Sequence, residues 1–545
     1  MYKVLIVDNV NEVAGDILKS VASIDYTNPL SEDELVNVIE NYDALMVRSQ
    51  TKVTKKALEK GKKLKIVGRA GVGVDNIDVE EATKAGVIVV NSPDGNTTAA
   101  AEQTVALMLS MARHIPDANM STRQGKWERS KLTGTEVFNK NLGIIGLGKI
   151  GLRVAKAAIG LGMKVFVYDP FASKENVEMA GATYIKNLND FWPICDYITV
   201  HVPKTKDTLN LINAETISKM KDGVRLINCS RGGIINEADL KEAIDSKKVA
   251  QAAVDVYTTE PISQDNPLLA CKGDIILTPH LGASTEEAQL NVAIDVAEQI
   301  KEVLEGGSAR SAVNIPALKA EKLEPVKDYM NLAENIGLLI SQLTVSAIKR
   351  IEIITHGTLA QLDTSPLKIA ILKGILSQSM ESVNYVNAPV IANSRGIEII
   401  ESKSEYSYSY VGLITVKVHT STEDHTVCGA LIADNTPRIV KIDDYNTSLT
   451  PAEHIIIAPH HDRPGMIAKV AAILGEKSVN ISMMQVARKY QTAGGESIMI
   501  INTDNPVNDD LLDKIKEIDG VYGASYVTLR PERTTTAEIP EHIKV

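Results

Sequence analysis

Cysteine is scarce in this sequence, and its spacing excludes two common uses of the residue. The 545 residues contain four cysteines: Cys195, Cys229, Cys271 and Cys428. Because none forms a CxxC pair, we expect neither a disulfide framework nor a zinc site, and we predict no metal site. Unpaired thiols are typical of a reducing compartment, so the cytoplasm is the expected location.

Long apolar runs and a surplus of positive charge are also missing. No stretch stays apolar for the roughly 20 residues that a membrane-spanning helix needs, and "MYKVLIVD" has no basic leader or cleavage site. The formal net charge is −11, and no basic face is evident. We therefore expect no membrane partner and no nucleic acid partner.

Aromatic residues make up only 4% of the chain, so Val, Ile, Leu and Ala must fill its cores. The length suggests three or four domains. Apolar runs such as "KVLIVD" and "ALMVRS" alternate with helical patterns, and a second unit repeats this from "NLGIIGLGKIG", which predicts parallel α/β sheets. From about Pro316 the sequence pattern changes to a period-two alternation of apolar and polar residues. Tyr406, Tyr408 and Tyr410 are predicted to lie on one face of a strand, where they would cover a sheet. The last part predicts a small βαββαβ unit.

"GLGKIG" places three glycines, Gly146, Gly148 and Gly151, between a strand and a helix. At this spacing the first glycine permits a tight turn, the second lets the backbone approach a pyrophosphate, and the third lets the helix pack on the strand. Asp169 ends the next strand, "KVFVYD", where a carboxylate can accept hydrogen bonds from ribose hydroxyls and would repel a 2'-phosphate. The pattern predicts a dinucleotide site for NAD rather than NADP.

Three charged or titratable residues each follow an apolar strand downstream: Arg231, Glu260 and His280. Because ligands of an open parallel sheet bind outside the carboxyl ends of its strands, we expect the three to face one cleft. Oxidation of a 2-hydroxy acid needs a base near neutral pKa, which histidine supplies, while a carboxylate can fix its tautomer and a guanidinium can grip the substrate carboxylate.

The motifs "GLGKIG", "NCSRGGIINEADL", "DVYTTEP" and "PHLGAST" together resemble the D-isomer-specific 2-hydroxyacid dehydrogenases. Within that family the chain is most similar, over nearly its whole length, to the long members with an intervening domain and an ACT domain. The resemblance implies oxidation of 3-phosphoglycerate with NAD as the cofactor, with Arg231, Glu260 and His280 as the catalytic residues.

The resemblance also implies an α/β fold in which a Rossmann-type nucleotide domain is inserted into a flavodoxin-like substrate domain. An α+β intervening domain and a ferredoxin-like ACT domain would follow. The implied limits are 1–98 and 288–318 for the substrate domain, 99–287 for the NAD-binding domain, 319–451 for the intervening domain, 452–530 for the ACT domain and 531–545 for a tail. Two long helices crossing between the lobes would act as hinges.

The family's cofactor contacts fall on positions of this chain that match its motifs. They are Gly146, Gly148, Lys149, Ile150, Gly151, Asp169, Val202, Cys229, Ser230, Arg231, Asp255, His280, Leu281, Gly282 and Ala283. Lys149 replaces a frequent arginine, which should alter the pyrophosphate contact. Asp255 would hold the nicotinamide carboxamide, although capping a loop is its alternative role. The implied substrate positions are Arg48, Gly71, Arg129 and Arg231, with Arg48 and Arg129 as candidates for the phosphate.

"HHDRPGMIAKVAAILGEKSVNISMM" resembles an ACT domain, a module that binds amino acids between paired copies. His460, Asp462 and Asn480 match its effector positions, which implies serine as a feedback effector; a purely structural ACT pair is the alternative. A partner copy would complete an exposed sheet edge, so we expect a homo-oligomer, specifically a tetramer.

Two other functions stay open at this point. One is a related D-2-hydroxyacid dehydrogenase that reduces glyoxylate or hydroxypyruvate. The other is a non-catalytic NAD sensor that recruits partners, since one fold can serve several uses.

Overall fold

A computed structural model of the protein describes residues 1–307, 309–315, 320–380, 383–406, 408–490 and 494–530. The predicted tail, 531–545, and the predicted boundary at 318/319 lie outside these residues. Within the described residues, no helix combines the length and the apolar character needed to cross a bilayer.

The first sheet is parallel and has five strands: β1 (Tyr2–Ile6), β2 (Ala22–Tyr26), β3 (Ala44–Val47), β4 (Ile66–Arg69) and β5 (Ile88–Asn91). The helices between them are α1 (Val13–Leu18), α2 (Glu32–Val38), α3 (Lys55–Lys60) and α4 (Val79–Lys84). Strand order is β2-β1-β3-β4-β5. This is the flavodoxin-like order, and helices cover both faces, which explains the apolar character of the central strands β1 and β3.

The second sheet is also parallel and has seven strands: β6 (Asn141–Ile145), β7 (Lys164–Tyr168), β8 (Thr183–Tyr184), β9 (Tyr197–Val200), β10 (Val224–Asn228), β11 (Val249–Val254) and β12 (Asp274–Leu277). Its helices are α5 (Thr97–Ala112), α6 (Ile115–Arg123), α7 (Lys149–Gly160), α8 (Lys174–Met179), α9 (Leu188–Phe191), α10 (Ala214–Ser218), α11 (Glu237–Asp245) and α12 (Glu286–Leu304). The order β12-β11-β10-β9-β6-β7-β8 is that of a Rossmann fold with one added strand.

Helix α12 returns the chain to the first sheet. Its buried residues Val296 and Ile300 join the core around β1, β3 and β4. Gly68 of β4 permits this approach, because a Cβ there would lie 2.4 Å from Val296 Cγ1. The second sheet is thus inserted between two parts of the first unit, as predicted.

The third sheet is mixed and has six strands: β13 (Arg350–Gly357), β14 (Glu398–Ser404), β15 (Gly412–His419), β16 (Asp424–Ile432), β17 (Thr436–Ile442) and β18 (Tyr445–Leu449). Its helices are α13 (Ala320–Leu323), α14 (Lys327–Leu343), α15 (Ser365–Ser377) and α16 (Ala388–Ser394). The strand order is β14-β13-β15-β16-β17-β18, and only β13 and β14 pair in parallel.

The predicted tyrosine stripe is wrong. Tyr406, Tyr408 and Tyr410 lie between the end of β14 and the start of β15, where the chain must reverse direction. Tyr408 has a left-handed φ of +57°, and its ring packs edge-to-face on that of Tyr406 with centroids 4.9 Å apart. Both side chains are exposed, so these rings do not cover the sheet.

The fourth sheet is antiparallel, with strands β19 (Ile455–His461), β20 (Ile481–Arg488), β21 (Glu496–Thr503) and β22 (Ser525–Val527). Its helices are α17 (Met466–Glu476) and α18 (Asp509–Lys516). The order β20-β21-β19-β22 is ferredoxin-like, which confirms the predicted fold. One face packs on α17 and α18, while the other shares a single apolar cluster with α14 that includes Ile457, Ile500 and Leu339.

The two edge strands of this sheet contact other parts of the chain. On the β20 side, the backbone N–H of Ser448 in β18 donates to Gln485 Oε1 at 3.0 Å. Beyond β22, the N–H of Thr528 donates to Gln342 Oε1 of α14 at 2.9 Å. Each of these is a single hydrogen bond to a side chain, and β20 and β22 remain the edge strands of the four-stranded sheet, so the expectation that a partner copy completes an edge stays a prediction.

A buried carboxylate joins the last two sheets. Glu334 of α14 accepts hydrogen bonds from Lys373 Nζ at 2.9 Å to each oxygen, and it also contacts the Tyr385 hydroxyl and Arg530. Since Glu334 is only 6% exposed, its charge requires these cationic partners. They tie the chain that leaves β22 to the intervening helices.

Candidate active site

The three glycines of the turn between β6 and α7 have different roles in the structure. Gly146 has a φ of +93°, and a Cβ there would lie 2.5 Å from the His201 carbonyl oxygen. A Cβ on Gly151 would lie 2.1 Å from the Gly146 carbonyl oxygen, so this glycine lets α7 pack against the turn. Gly148 instead faces open space, and it precedes the exposed N-terminus of α7. The turn therefore leaves room for an anion at a helix N-terminus.

Asp169 is fixed beside this turn. Its carboxylate accepts a hydrogen bond from the Leu147 N–H at 2.8 Å and another from the Phe171 N–H at 2.8 Å. The carboxylate keeps further lone pairs that can accept from ribose hydroxyls. In the first turn of α7, Lys149 forms an ion pair with Asp94, and Ile150 is half-buried.

Asp255 anchors the loop that carries the histidine. It is completely buried. Its carboxylate accepts from the Thr278 hydroxyl at 2.5 Å, the Leu281 N–H at 2.8 Å and the Gly282 N–H at 2.9 Å. The structure thus favours the loop-capping alternative, and contact with a nicotinamide stays a prediction.

The remaining predicted cofactor positions lie at the carboxyl ends of β9, β10 and β12. Val202 follows β9 and adjoins Gly146. Cys229 follows β10, and burial raises the pKa of its thiol to about 12. Ser230 donates from its N–H and its hydroxyl to Asn228 Oδ1, which shapes the turn before Arg231. Ala283 is half-buried at the end of the histidine loop.

The predicted histidine and glutamate are in direct contact. His280 Nδ1 lies 2.6 Å from Glu260 Oε2, and the Tyr257 N–H donates to Glu260 Oε1 at 2.9 Å. Burial raises the pKa of Glu260, but these two hydrogen bonds outweigh it and the net pKa falls below its usual value. An ionised Glu260 keeps a proton on Nδ1 of His280. Nε2, which forms no hydrogen bond with any described residue, is left to exchange a proton.

Arg231 lies close to this pair and belongs to a cluster of three arginines. Its charge contributes to lowering the pKa of Glu260. Burial, Arg231 and Arg48 together lower the pKa of Arg69 to about 10. The arginine cluster is defined as Arg48, Arg69 and Arg231. Asp75 Oδ2 lies 3.3 Å from Arg231 Nε, and Asp75 and Asp8 both act on Arg69 against this lowering of its pKa.

Two glycines make room for the cluster. Gly71 has a φ of +153°, and a Cβ there would overlap Arg69 Nη1 at 1.4 Å. A Cβ on Gly73 would lie 2.4 Å from Arg231 Nη2. Gly71 therefore acts through the space it leaves for a guanidinium.

Arg69 was not predicted as a site residue, although its position in the sequence, at the end of an apolar strand, indicates one. Arg69 ends β4, and β4 pairs with β3 so that Arg69 lies opposite Val47, the residue before Arg48. The strand-end argument used for the second sheet would have found it in the first. Arg129, by contrast, lies in an exposed 3-10 turn and makes no contact with the cluster among the described residues. The phosphate contact predicted for Arg129 stays a prediction.

Comparison with known proteins agrees with this arrangement. Residues 105–282 match the NAD binding domain of D-isomer specific 2-hydroxyacid dehydrogenases, 325–443 match the D-3-phosphoglycerate dehydrogenase intervening domain, and 454–520 match the ACT domain. The D-3-phosphoglycerate dehydrogenase of Synechocystis sp. is 48% identical over 531 residues, which cover 97% of this chain and 95% of that one. The Bacillus subtilis protein of that name is 41% identical over 540 residues, covering 97% and 100%.

The chain belongs to the D-3-phosphoglycerate dehydrogenase family.

Members of the D-3-phosphoglycerate dehydrogenase family are NAD-dependent dehydrogenases, so the predictions of an enzyme and of NAD as its cofactor are confirmed. A solved glyoxylate reductase from Paecilomyes thermophila is also similar, with 26% identity and a TM-score of 0.53. The match covers 99% of the glyoxylate reductase but only 58% of this chain. The intervening and ACT domains thus distinguish this chain from the shorter dehydrogenases that it resembles.

The predicted effector residues do not all come together. His460 is buried near the end of β19, and Asp462 just beyond accepts from Arg488 Nε at 2.6 Å. Both line one cavity at the N-terminal end of α17. Asn480 precedes β20 and donates to Asp504 at 2.6 Å, at the opposite end of the sheet. Within one chain, therefore, Asn480 is separated from the other two.

His201, which contributes its carbonyl to the glycine turn, makes the stability of this lobe depend on pH. Burial lowers the pKa of its imidazole to about 4, while an unfolded histidine titrates near 6.5. Between these values the unfolded chain binds more protons, so stability should fall as the pH drops from 6.5 to 4, by about 3 kcal/mol at most.

Urea unfolding of the protein at pH 7 and pH 5 measures this effect. His201→Gln should flatten the pH dependence. A slope that the substitution leaves unchanged would show that other groups cause it.

Proposed function

We propose that this enzyme oxidises 3-phospho-D-glycerate to 3-phosphohydroxypyruvate with hydride transfer to NAD, the first step of the phosphorylated route to L-serine. The observation that carries the proposal is the His280–Glu260 pair, with its contact at 2.6 Å, beside the arginine cluster. Together they supply a proton acceptor and a binding site for a highly charged anion at the mouth of the dinucleotide cleft.

The proton and the substrate anion are handled by residues of this chain. Nε2 of His280 takes the proton of the 2-hydroxyl group, and Glu260 stabilises the imidazolium that forms. Arg231 holds the substrate carboxylate with its planar fork. When bound, NAD accepts the hydride from the substrate carbon that bears this hydroxyl group. Gly148, Asp169 and the N-terminus of α7 would hold the dinucleotide.

Substrate charge favours a phosphorylated acid over its simpler relatives. One guanidinium suffices for a monocarboxylate, whereas Arg48 and Arg69 add two further positive charges within the cluster. A trianionic substrate would compensate all three. The first alternative is a glyoxylate or hydroxypyruvate reductase. Its substrates carry a single negative charge, which would leave two of the three arginines uncompensated.

The experiment is a nicotinamide absorbance assay with NAD and 3-phosphoglycerate at alkaline pH, with the keto product trapped. The same protein is then assayed in reverse with hydroxypyruvate and glyoxylate. Arg48→Ala and Arg69→Gln should reduce kcat/KM for phosphoglycerate far more than for hydroxypyruvate, and Arg123→Gln on exposed α6 is the matched control. Equal losses on both substrates would contradict the phosphate assignment. No turnover of any substrate by wild type would favour the NAD-sensing alternative.

Asp75 competes with the substrate for the arginine cluster in this proposal. Asp75→Asn removes the carboxylate that faces Arg231, so we expect the KM for phosphoglycerate to fall about two- to fivefold with kcat nearly unchanged. Asp78→Asn is the control, because Asp78 instead caps α4 three residues away. Steady-state kinetics at low salt give the comparison. A higher KM in Asp75→Asn would mean that Asp75 orients Arg231 for binding.

We also propose serine as the feedback effector and a homotetramer as the assembly. His460 and Asp462 lie at one end of the ACT sheet and Asn480 at the other, so a site that uses all three needs two copies. Four free cysteines, each buried or half-buried, fit the cytoplasm. Added serine should inhibit the wild type, and Asn480→Ala should abolish inhibition while leaving turnover intact.

A further inference from the structure

The intervening domain contains a cavity that the proposed reaction does not use. It measures about 460 Å³ and lies where α14 and α15 end, near the C-terminus of α16. Among the described residues of its lining, Arg395 is the charged one. A cavity of this volume is large enough for a small metabolite.

Residues at the C-terminal ends of α14 and α15 both line this cavity. The two helices are in contact, with Glu334 bonded to Lys373 and Gly337 against Gly374. The two glycines permit the close crossing, since a Cβ on Gly374 would lie 2.3 Å from the Glu334 carbonyl oxygen. The last carbonyl groups of a helix lack intrahelical partners and carry a partial negative charge. Two such ends at one cavity attract a cation.

Hydroxyl groups in the lining point the same way. Ser341 donates to the Leu338 carbonyl at 2.9 Å, and Thr344 donates to the Ile340 carbonyl at 2.6 Å. Because their protons are already used by the backbone, these oxygens can offer a ligand only lone pairs. These two hydroxyl oxygens therefore add acceptors at the end of α14, which suits an ammonium group.

Arg395 supplies the opposite charge at the same cavity. Its Nη1 donates to Ser379 Oγ at 2.9 Å, and its other N–H groups form no hydrogen bond with the described residues. A guanidinium with free donors binds a carboxylate. Apolar side chains, those of Ile348, Ile375, Leu376 and Ile397, form the rest of the wall.

We propose that this cavity binds a free amino acid with an aliphatic side chain. Its ammonium would lie at the ends of α14 and α15, its carboxylate on Arg395, and its side chain on the isoleucines. This site is separate from the cavity of the ACT domain, which is lined by Asp462 and lies at the N-terminal end of α17.

Calorimetric titration of the full-length enzyme with L-valine and L-leucine tests the proposal, with isobutylamine and isobutyrate as probes of the two charges. We expect the amino acids to bind more tightly than either probe. Arg395→Gln should weaken the binding of L-leucine at least about tenfold, as expected for a lost charge-assisted contact. Ala347→Phe, which narrows the cavity from its exposed rim, should also weaken it.

Two further variants locate the site. Arg438→Gln, at a half-buried arginine of β17, should bind L-leucine like the wild type, and so should Asp462→Asn in the ACT domain. If Asp462→Asn loses binding while Arg395→Gln retains it, the ligand occupies the ACT cavity and the proposal fails. Isobutylamine binding as tightly as L-leucine, or no binding by any probe, would also overturn it. Because no turnover is measured, this outcome is independent of the proposed reaction.

Discussion

Replacing His280 with asparagine should lower kcat by about two to four orders of magnitude, the usual contribution of a positioned proton carrier. KM should change little, because Arg231 and the arginine cluster still hold the substrate anion. The asparagine side chain can hydrogen-bond but cannot accept a proton near neutral pH. Steady-state kinetics with NAD, combined with nicotinamide binding followed by fluorescence, separates lost chemistry from lost binding.

His114→Asn is the matched control. His114 Nδ1 lies 3.6 Å from Asp274 Oδ2, so it is also an imidazole beside a carboxylate in the same lobe. Asp274 begins β12, so this pair lies at the end of that strand remote from the cleft. If both variants lose activity equally, or if His280→Asn retains more than a tenth of the wild-type rate, then His280 is not the proton acceptor.

Arg231→Gln should lower kcat/KM about a hundredfold, because it removes the charge and the two-pronged contact with the substrate carboxylate. Most of the loss should appear in KM. Loss of the positive charge also removes one influence that lowers the pKa of Glu260. The pH profile of kcat/KM should therefore shift together with the affinity.

Arg225→Gln tests whether any arginine of β10 would have this effect. Arg225 Nε donates to Gln251 Oε1 at 2.8 Å at the start of the strand that leads to Arg231. Thermal melting of both variants accounts for differences in folding. A similar loss of kcat/KM in the two would show that Arg231 acts through the stability of the strand.

Much of the fold was predictable because its strands are buried in parallel sheets. Such strands are continuous apolar runs, and polar residues at their ends mark the cleft. This reasoning located His280, Glu260 and Arg231. It was applied to only one of the two parallel sheets, and so it missed Arg69.

Other features depend on contacts that no local pattern encodes. The alternation around Tyr406 and Tyr408 is typical of a strand, yet the chain turns there because β14 and β15 run in opposite directions. The burial of Asp255 follows from a loop 23 to 27 residues away in the sequence. The contacts beside the edge strands of the ACT sheet involve β18 and α14, which precede it in the chain.

The apolar cluster shared by α14 and the ACT sheet determines where this protein can be cut. A truncation that begins at residue 452 would remove α14, against which Ile457, Ile500 and Val527 pack. It would expose an apolar face of the ACT sheet to water. A C-terminal fragment should therefore begin before α14 and contain both the intervening domain and the ACT domain. Chimeric enzymes designed to exchange the effector response would need to exchange these two domains together.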